Sequence, residues 1–141
     1  VSRKGLDLIF DIRVKDRACT HCLDNMYEWE QDSVEIYFSE TNHKNKNILP
    51  GDYKVRVNSK GGFTAFGQEG KIRHIATERT DSGYNIKLIV SIEDVRGDRL
   101  GFELIAHNIG DDGYINTVYW NSIARADMAL YPYTLGDIII R

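Results

Sequence analysis

The sequence predicts an all-β fold: two antiparallel sheets packed face to face as a jelly-roll-like sandwich. Apolar residues recur with period two far more often than with period 3.6, there are about eight such alternating runs, and clusters rich in Gly, Asp and Ser separate them. Period two places successive side chains on opposite faces of a strand, one face in the core and the other in water.

In chain order, Leu6, Leu8, Phe10, Ile12 and Val14 alternate with polar residues, and so do Val34, Ile36 and Phe38. Tyr53, Val55 and Val57 follow, then the less regular run from Lys71 to Thr80. Tyr84, Ile86, Leu88 and Val90 form the next run, followed by Leu100, Phe102, Leu104 and Ala106. Ile115 to Trp120 and Leu135 to Ile140 close the series. Gly61-Gly62, Gly67 with Gly70, Asp81-Ser82-Gly83, Gly97-Asp98 and Gly110 to Gly113 supply the turns. Two connections are long: Arg17 to Glu30, and Glu40 to Asp52, a polar stretch expected to be a mobile surface loop. Only Ser122 to Leu130 keeps a weak helical pattern.

A chain of 141 residues fits one domain, 1–141, and its 42% hydrophobic and 28% charged content is that of a globular protein. The net charge of −3 provides no positive field for phosphates, so no nucleic acid is expected as partner. No apolar run approaches the ~20 residues of a membrane span. Val1 to Gly5 carry no signal-peptide pattern, so any such peptide is expected to be upstream or removed. Cys19-Thr20-His21-Cys22 has the spacing of a tight disulfide, half a zinc site or a redox pair. His43, His74 and His107 do not complete a zinc set by spacing, and a structural or incidental role is the favoured reading, as an exposed disulfide if the protein is extracellular.

The segment richest in chemistry is Trp29-Glu30-Gln31-Asp32-Ser33-Val34-Glu35-Ile36-Tyr37-Phe38. With Val34, Ile36 and Phe38 in the core, Ser33, Glu35 and Tyr37 turn outward, and Trp29 stands at the mouth of the strand. By the same alternation Lys54, Arg56 and Asn58 leave the core side of Tyr53, Val55 and Val57. If the two strands share a sheet, Glu35 and Arg56 point the same way. A carboxylate and a guanidinium fork suit adjacent sugar hydroxyls, and an indole suits the C–H face of the ring. The bland alternative is an exposed cross-strand ion pair, worth ~0.2–1 kcal/mol.

This segment resembles the family-9 carbohydrate-binding modules, whose hallmark is a Trp-Glu-x-Asp-Ser-Val-Glu run entering a strand. The similarity continues in order through Tyr53 to Asn58, Gly83-Tyr84, Leu100-Gly101-Phe102 and Leu135-Gly136-Asp137. In that family two tryptophans clamp a sugar at the end of a glucan or xylan chain, on one face of a β-sandwich. The resemblance implies that Trp29 is the first clamp tryptophan, Glu35 the hydroxyl-binding glutamate and Arg56 the hydroxyl-binding arginine. It also implies a chain that starts late, lacking an initial strand or two.

The sequence departs from the pattern in three places. No tryptophan stands at Met128 to Leu130, Ile105 replaces a sugar-binding glutamine, and Arg125 or Ala126 replaces an asparagine. Tyr131 and Tyr133 are the candidate replacement plates, with aromatic packing at the end of the sandwich as the competing reading. Trp120 matches a structural tryptophan and is read as core.

The resemblance implies non-catalytic binding of an oligo- or polysaccharide, cell-wall glucan or xylan, by a secreted or cell-surface module of a multidomain glycoside hydrolase. The alternative is a structural or interaction module of a larger extracellular or envelope protein that has lost its sugar site. No cofactor is required. A structural calcium is an option within the family, and Asp16, Asp24, Asp32, Asp111 and Asp112 lie in or beside loops, but in no recognisable ligand spacing. Hydrolysis needs two facing carboxylates ~5–9.5 Å apart. Glu35 has Ser33 and Tyr37 as its outward neighbours, and Arg56 across the sheet.

Overall fold

The computed structural model describes residues 1–16, 31–67, 69–92, 97–110, 112–121 and 131–140. Among the described residues, ten antiparallel strands form two sheets. The four-stranded sheet runs in the order β1 (Ser2–Lys4), β2 (Asp7–Lys15), β7 (Gly83–Ser91), β6 (Ile72–Thr80). The six-stranded sheet runs β10 (Gly136–Ile139), β8 (Arg99–Ile109), β3 (Ser33–Ser39), β4 (Asp52–Asn58), β5 (Phe63–Phe66), with β9 (Ile115–Tyr119) also on β8. The predicted sandwich is therefore the observed architecture. Two short 3₁₀ turns, Glu69–Lys71 and Pro132–Thr134, are the helical elements among the described residues.

The core forms where the inward faces meet. Leu8 and Phe10 of β2 and Tyr84, Ile86, Leu88 and Val90 of β7 pack against Val34, Ile36 and Phe38 of β3, and Val55 and Val57 of β4. Phe10 bridges the layers, its ring 5.4 Å from Phe38 and 6.0 Å from Phe102. Each such side chain contributes about 1.5–3 kcal/mol by leaving water. Gly83, which opens β7, is required sterically: a Cβ there would lie 1.9 Å from the Val14 carbonyl oxygen.

Four expectations need correction. Ten strands are described rather than about eight, because Ser2–Lys4 is short and polar and Phe63–Phe66 lies between glycine turns. Leu6 falls in the turn between β1 and β2 and is exposed. Trp120 is not core. It follows edge strand β9 and is 52% exposed, although its ring meets Phe102 edge-on at 5.3 Å.

The connection 40–52, finally, is braced rather than loose. Asn42 and Lys44, both at positive φ, bond Asp137 at 3.2 and 2.7 Å. His43 meets Asp52 at 2.9 Å, and the Tyr133 N–H donates to the Asn45 carbonyl at 3.1 Å. Cys19, Cys22, the connection 17–30 and the segment 122–130 lie outside the described residues.

Candidate functional site

Strand register decides which outward side chains meet. In β3 and β4, Glu35 is the direct partner of Arg56, Tyr37 of Lys54, and Ser33 of Asn58. On the other side of β3, β8 sets Ile105 beside Glu35, Glu103 beside Tyr37, and His107 beside Ser33. Strand β5 adds Thr64 next to Arg56 and Phe66 next to Lys54. The conditional reading that Glu35 and Arg56 share one face is thus correct, and a ladder of polar residues crosses the middle of the six-stranded sheet.

That face is not open to water as alternation implied. Every residue of β3 is buried, with Glu35 4% and Arg56 8% exposed. A buried carboxylate persists only if its oxygens are satisfied, and Glu35 meets four donors. Arg56 Nη2 pairs with Oε1, and His107 Nε2 lies 3.2 Å from the same oxygen. The Tyr37 hydroxyl donates to Oε2, with Lys54 Nζ 3.3 Å away. The ion pair is therefore neither exposed nor isolated.

The protonation states follow from this packing. Burial, then the charges of Arg56 and Lys54, lower the His107 pKa to about 4, outweighing its contact with Glu35. His107 is thus a neutral imidazole: Nε2–H donates to Glu35, while Nδ1 accepts from the Thr117 hydroxyl at 3.3 Å. Burial, with Tyr119 and Glu103 adding, pushes the Tyr37 phenol above its ordinary range, so it remains a donor.

Glu103 is the second carboxylate of this face, one the sequence reading did not pair with Glu35. It is 0% exposed, and its Oε1 accepts the N–H groups of Leu104 and Asn121 at 3.0 and 2.9 Å. Burial raises its pKa against those hydrogen bonds.

Beyond Tyr37 and Lys54 the face opens into a cleft of about 230 Å³. Tyr37, Lys54 and Phe66 line it from the sheet, Ile48 from the connection 40–52, and Pro132 and Leu135 from the segment before β10. Lys54 Nζ sits 5.3 Å from the Tyr37 ring centre and 5.7 Å from that of Phe66, within cation–π range.

Of the sequence-derived site residues, Glu35 and Arg56 come together, and Trp29 lies outside the described residues. Tyr131 and Tyr133 stack on each other at 5.9 Å and are both exposed. They flank Pro132 but are not among the residues lining the cleft. Sequence reasoning missed the roles of Tyr37, Lys54 and His107. The first two were outward positions of strands already drawn. His107 is the next outward position after Ile105 on β8, and that parity was its signal.

The calcium expectation finds no ligand set among the described residues. Asp32 accepts the Ile109 N–H at 2.9 Å and Asp112 the Tyr114 N–H at 3.0 Å. Among the described residues no three His, Cys, Asp or Glu side chains gather to hold a metal, and Asp24 and Asp111 lie outside them. Nor, among the described residues, is any helix long and apolar enough to cross a membrane.

The candidate site is a carboxylate–guanidinium rung beside an aromatic-lined cleft on one face of a two-sheet sandwich. The chain belongs to the carbohydrate family 9 binding domain-like family, whose model matches residues 3–139, in agreement with the resemblance seen in the sequence. It is 29% identical over 104 residues to endo-1,4-beta-xylanase A of Thermotoga maritima, covering 70% of this chain but 10% of the xylanase. A family 9 carbohydrate-binding module from Caldicellulosiruptor kristjanssonii has the same fold. Its complexes with cellotriose and glucose superpose with TM-scores of 0.82 and 0.79, at 19% identity. Each comparison covers 96% of this chain, and 69% and 70% of theirs, respectively.

Proposed function

We propose that this domain, residues 1–141, binds glucan or xylan chains of the plant cell wall, or their terminal sugars, without altering them. In this reading it is secreted or displayed at the cell surface, and it holds an attached glycoside hydrolase against the polymer. The observation that carries the proposal is the Glu35–Arg56 rung on the outer face of the six-stranded sheet. Arg56 offers a planar donor fork and Glu35 an acceptor pair, which suits vicinal hydroxyls. Trp29 serves as the stacking plate, with Tyr131 and Tyr133 as further plates near the cleft.

A hydroxyl reaching Glu35 takes the place of Lys54, the donor that borders open space. The domain needs no cofactor for this. The burial of Glu103, with backbone N–H donors on one oxygen, supports a binding rather than a hydrolytic role. Affinity in the micromolar to millimolar range, about 4–8 kcal/mol, is sufficient, since tethering raises the effective concentration at the polymer.

Calorimetry with cello- and xylo-oligosaccharides and monosaccharides tests the reading. Wild type is expected to give heats that Trp29→Ala and Arg56→Ala lose while retaining a folded circular dichroism spectrum. Equal heats in all three discard the site. Reducing-sugar release that depends on Glu35 contradicts a pure binding role. A second reading, a spacer or interaction module, draws on the closure of Glu35 by four protein donors, and it predicts no heat with any sugar.

A further inference from the structure

The cleft beside the sugar-binding rung has a chemistry of its own. Its described lining is largely aromatic and aliphatic, with Tyr37 and Phe66 from the sheet and Ile48, Pro132 and Leu135 from the connecting segments. Among the described residues, the polar side chains that line it are already engaged. The Tyr37 hydroxyl and Lys54 Nζ point to Glu35, and Asp52 is held by His43 and by the Leu49 N–H at 2.7 Å. A pyranose sunk here would strand its hydroxyls without partners, an unfavourable arrangement in an apolar setting. A flat apolar ring loses nothing of that kind. The volume also fits, since an apolar cavity of ~150 Å³ is enough to bind benzene, and this one is about 230 Å³. Phe66 at 62% and Ile48 at 63% exposed leave apolar surface at the rim to be covered.

We propose that this cleft is a subsite for an aryl substituent carried by the bound sugar, stacked against Phe66 and Tyr37 beneath Ile48. The inference rests on the sugar-binding reading of the Glu35–Arg56 rung and deepens it. The two sites are continuous, because Tyr37 and Lys54 contact Glu35 on one side and line the cleft on the other. The domain would then favour chain ends or branches that bear aromatic groups over bare sugars.

Methyl and phenyl β-D-glucopyranoside, identical at the sugar, separate the two claims by calorimetry. The wild-type domain is expected to bind the phenyl glycoside about 10-fold more tightly, the gain from burying one aromatic ring. Phe66→Ala, a change at an exposed edge-strand position, should cut that ratio to about 2-fold while leaving the methyl glycoside affinity unchanged. Ile48→Ser should act in the same direction. A wild-type ratio near 1, or a 10-fold ratio that survives both substitutions, overturns the subsite alone. Failure of both glycosides to bind the wild-type domain overturns the sugar reading and the subsite together.

Discussion

The outer faces of the two sheets carry similar ladders of charge and meet opposite fates. On the four-stranded sheet Asp11 stands across from Lys87, and Asn85 lies between Arg13 and Glu78, with the four charged residues exposed. On the six-stranded sheet Glu35 stands across from Arg56, and both are buried beside His107 and Tyr37. The first ladder is solvated and screened, so its pairs are worth little. The second has left water, so each group depends on its partners. The candidate rung lies where a solvated-looking pattern has been desolvated.

The comparison is broken most severely by Glu35→Ala. Removing the shared acceptor leaves the buried Arg56 and the partly buried Lys54 without it, and the expected loss is about 3–5 kcal/mol in urea unfolding. The matched change Asp11→Ala is expected to stay within about 0.5 kcal/mol of wild type. Equal losses at the two positions would mean that burial is not what separates the ladders.

His107 gives the next largest effect. Its folded pKa of about 4 lies below the ordinary 6.5, so the unfolded chain binds the proton more readily between those values. Stability is therefore full above pH 6.5 and falls as pH drops toward 4, by on the order of 2 kcal/mol. Comparing thermal midpoints of wild type and His107→Gln across that window should show the slope in wild type only, once the shared carboxylate contribution is subtracted.

Glu103 is expected to act in the opposite sense and more weakly. Its folded pKa is raised above the ordinary 4.5, so its contribution is present at low pH and lost as pH rises. Glu103→Gln keeps an acceptor for the Leu104 and Asn121 N–H groups and removes the buried charge. Stability at pH 7 should rise, read as a higher urea midpoint at unchanged slope.

Much of this molecule was legible because the backbone imposes period two. Alternation alone put Val34, Ile36 and Phe38 on one side and Glu35 on the other, and likewise Val55 and Val57 against Arg56. The sandwich class, most of the strands and the side of the sheet that bears the candidate rung follow from that local rule. Alternation states only which side chains share a face, however, and it carries no information about what covers that face. The burial of Glu35, the neutral state of His107 and the closure of Glu103 depend on residues from β4, β8 and β9 arriving at one rung. Trp120 was misplaced for the same reason, since an edge position is defined by which strands pair rather than by the residue. The cleft needed Ile48, Phe66 and Leu135 to converge from distant segments, with the 40–52 connection braced on Asp137. Local sequence thus determined the direction of each strand side chain through backbone geometry. Tertiary packing alone decided the solvent exposure and partners of those side chains, because desolvation depends on neighbours that are remote in the chain.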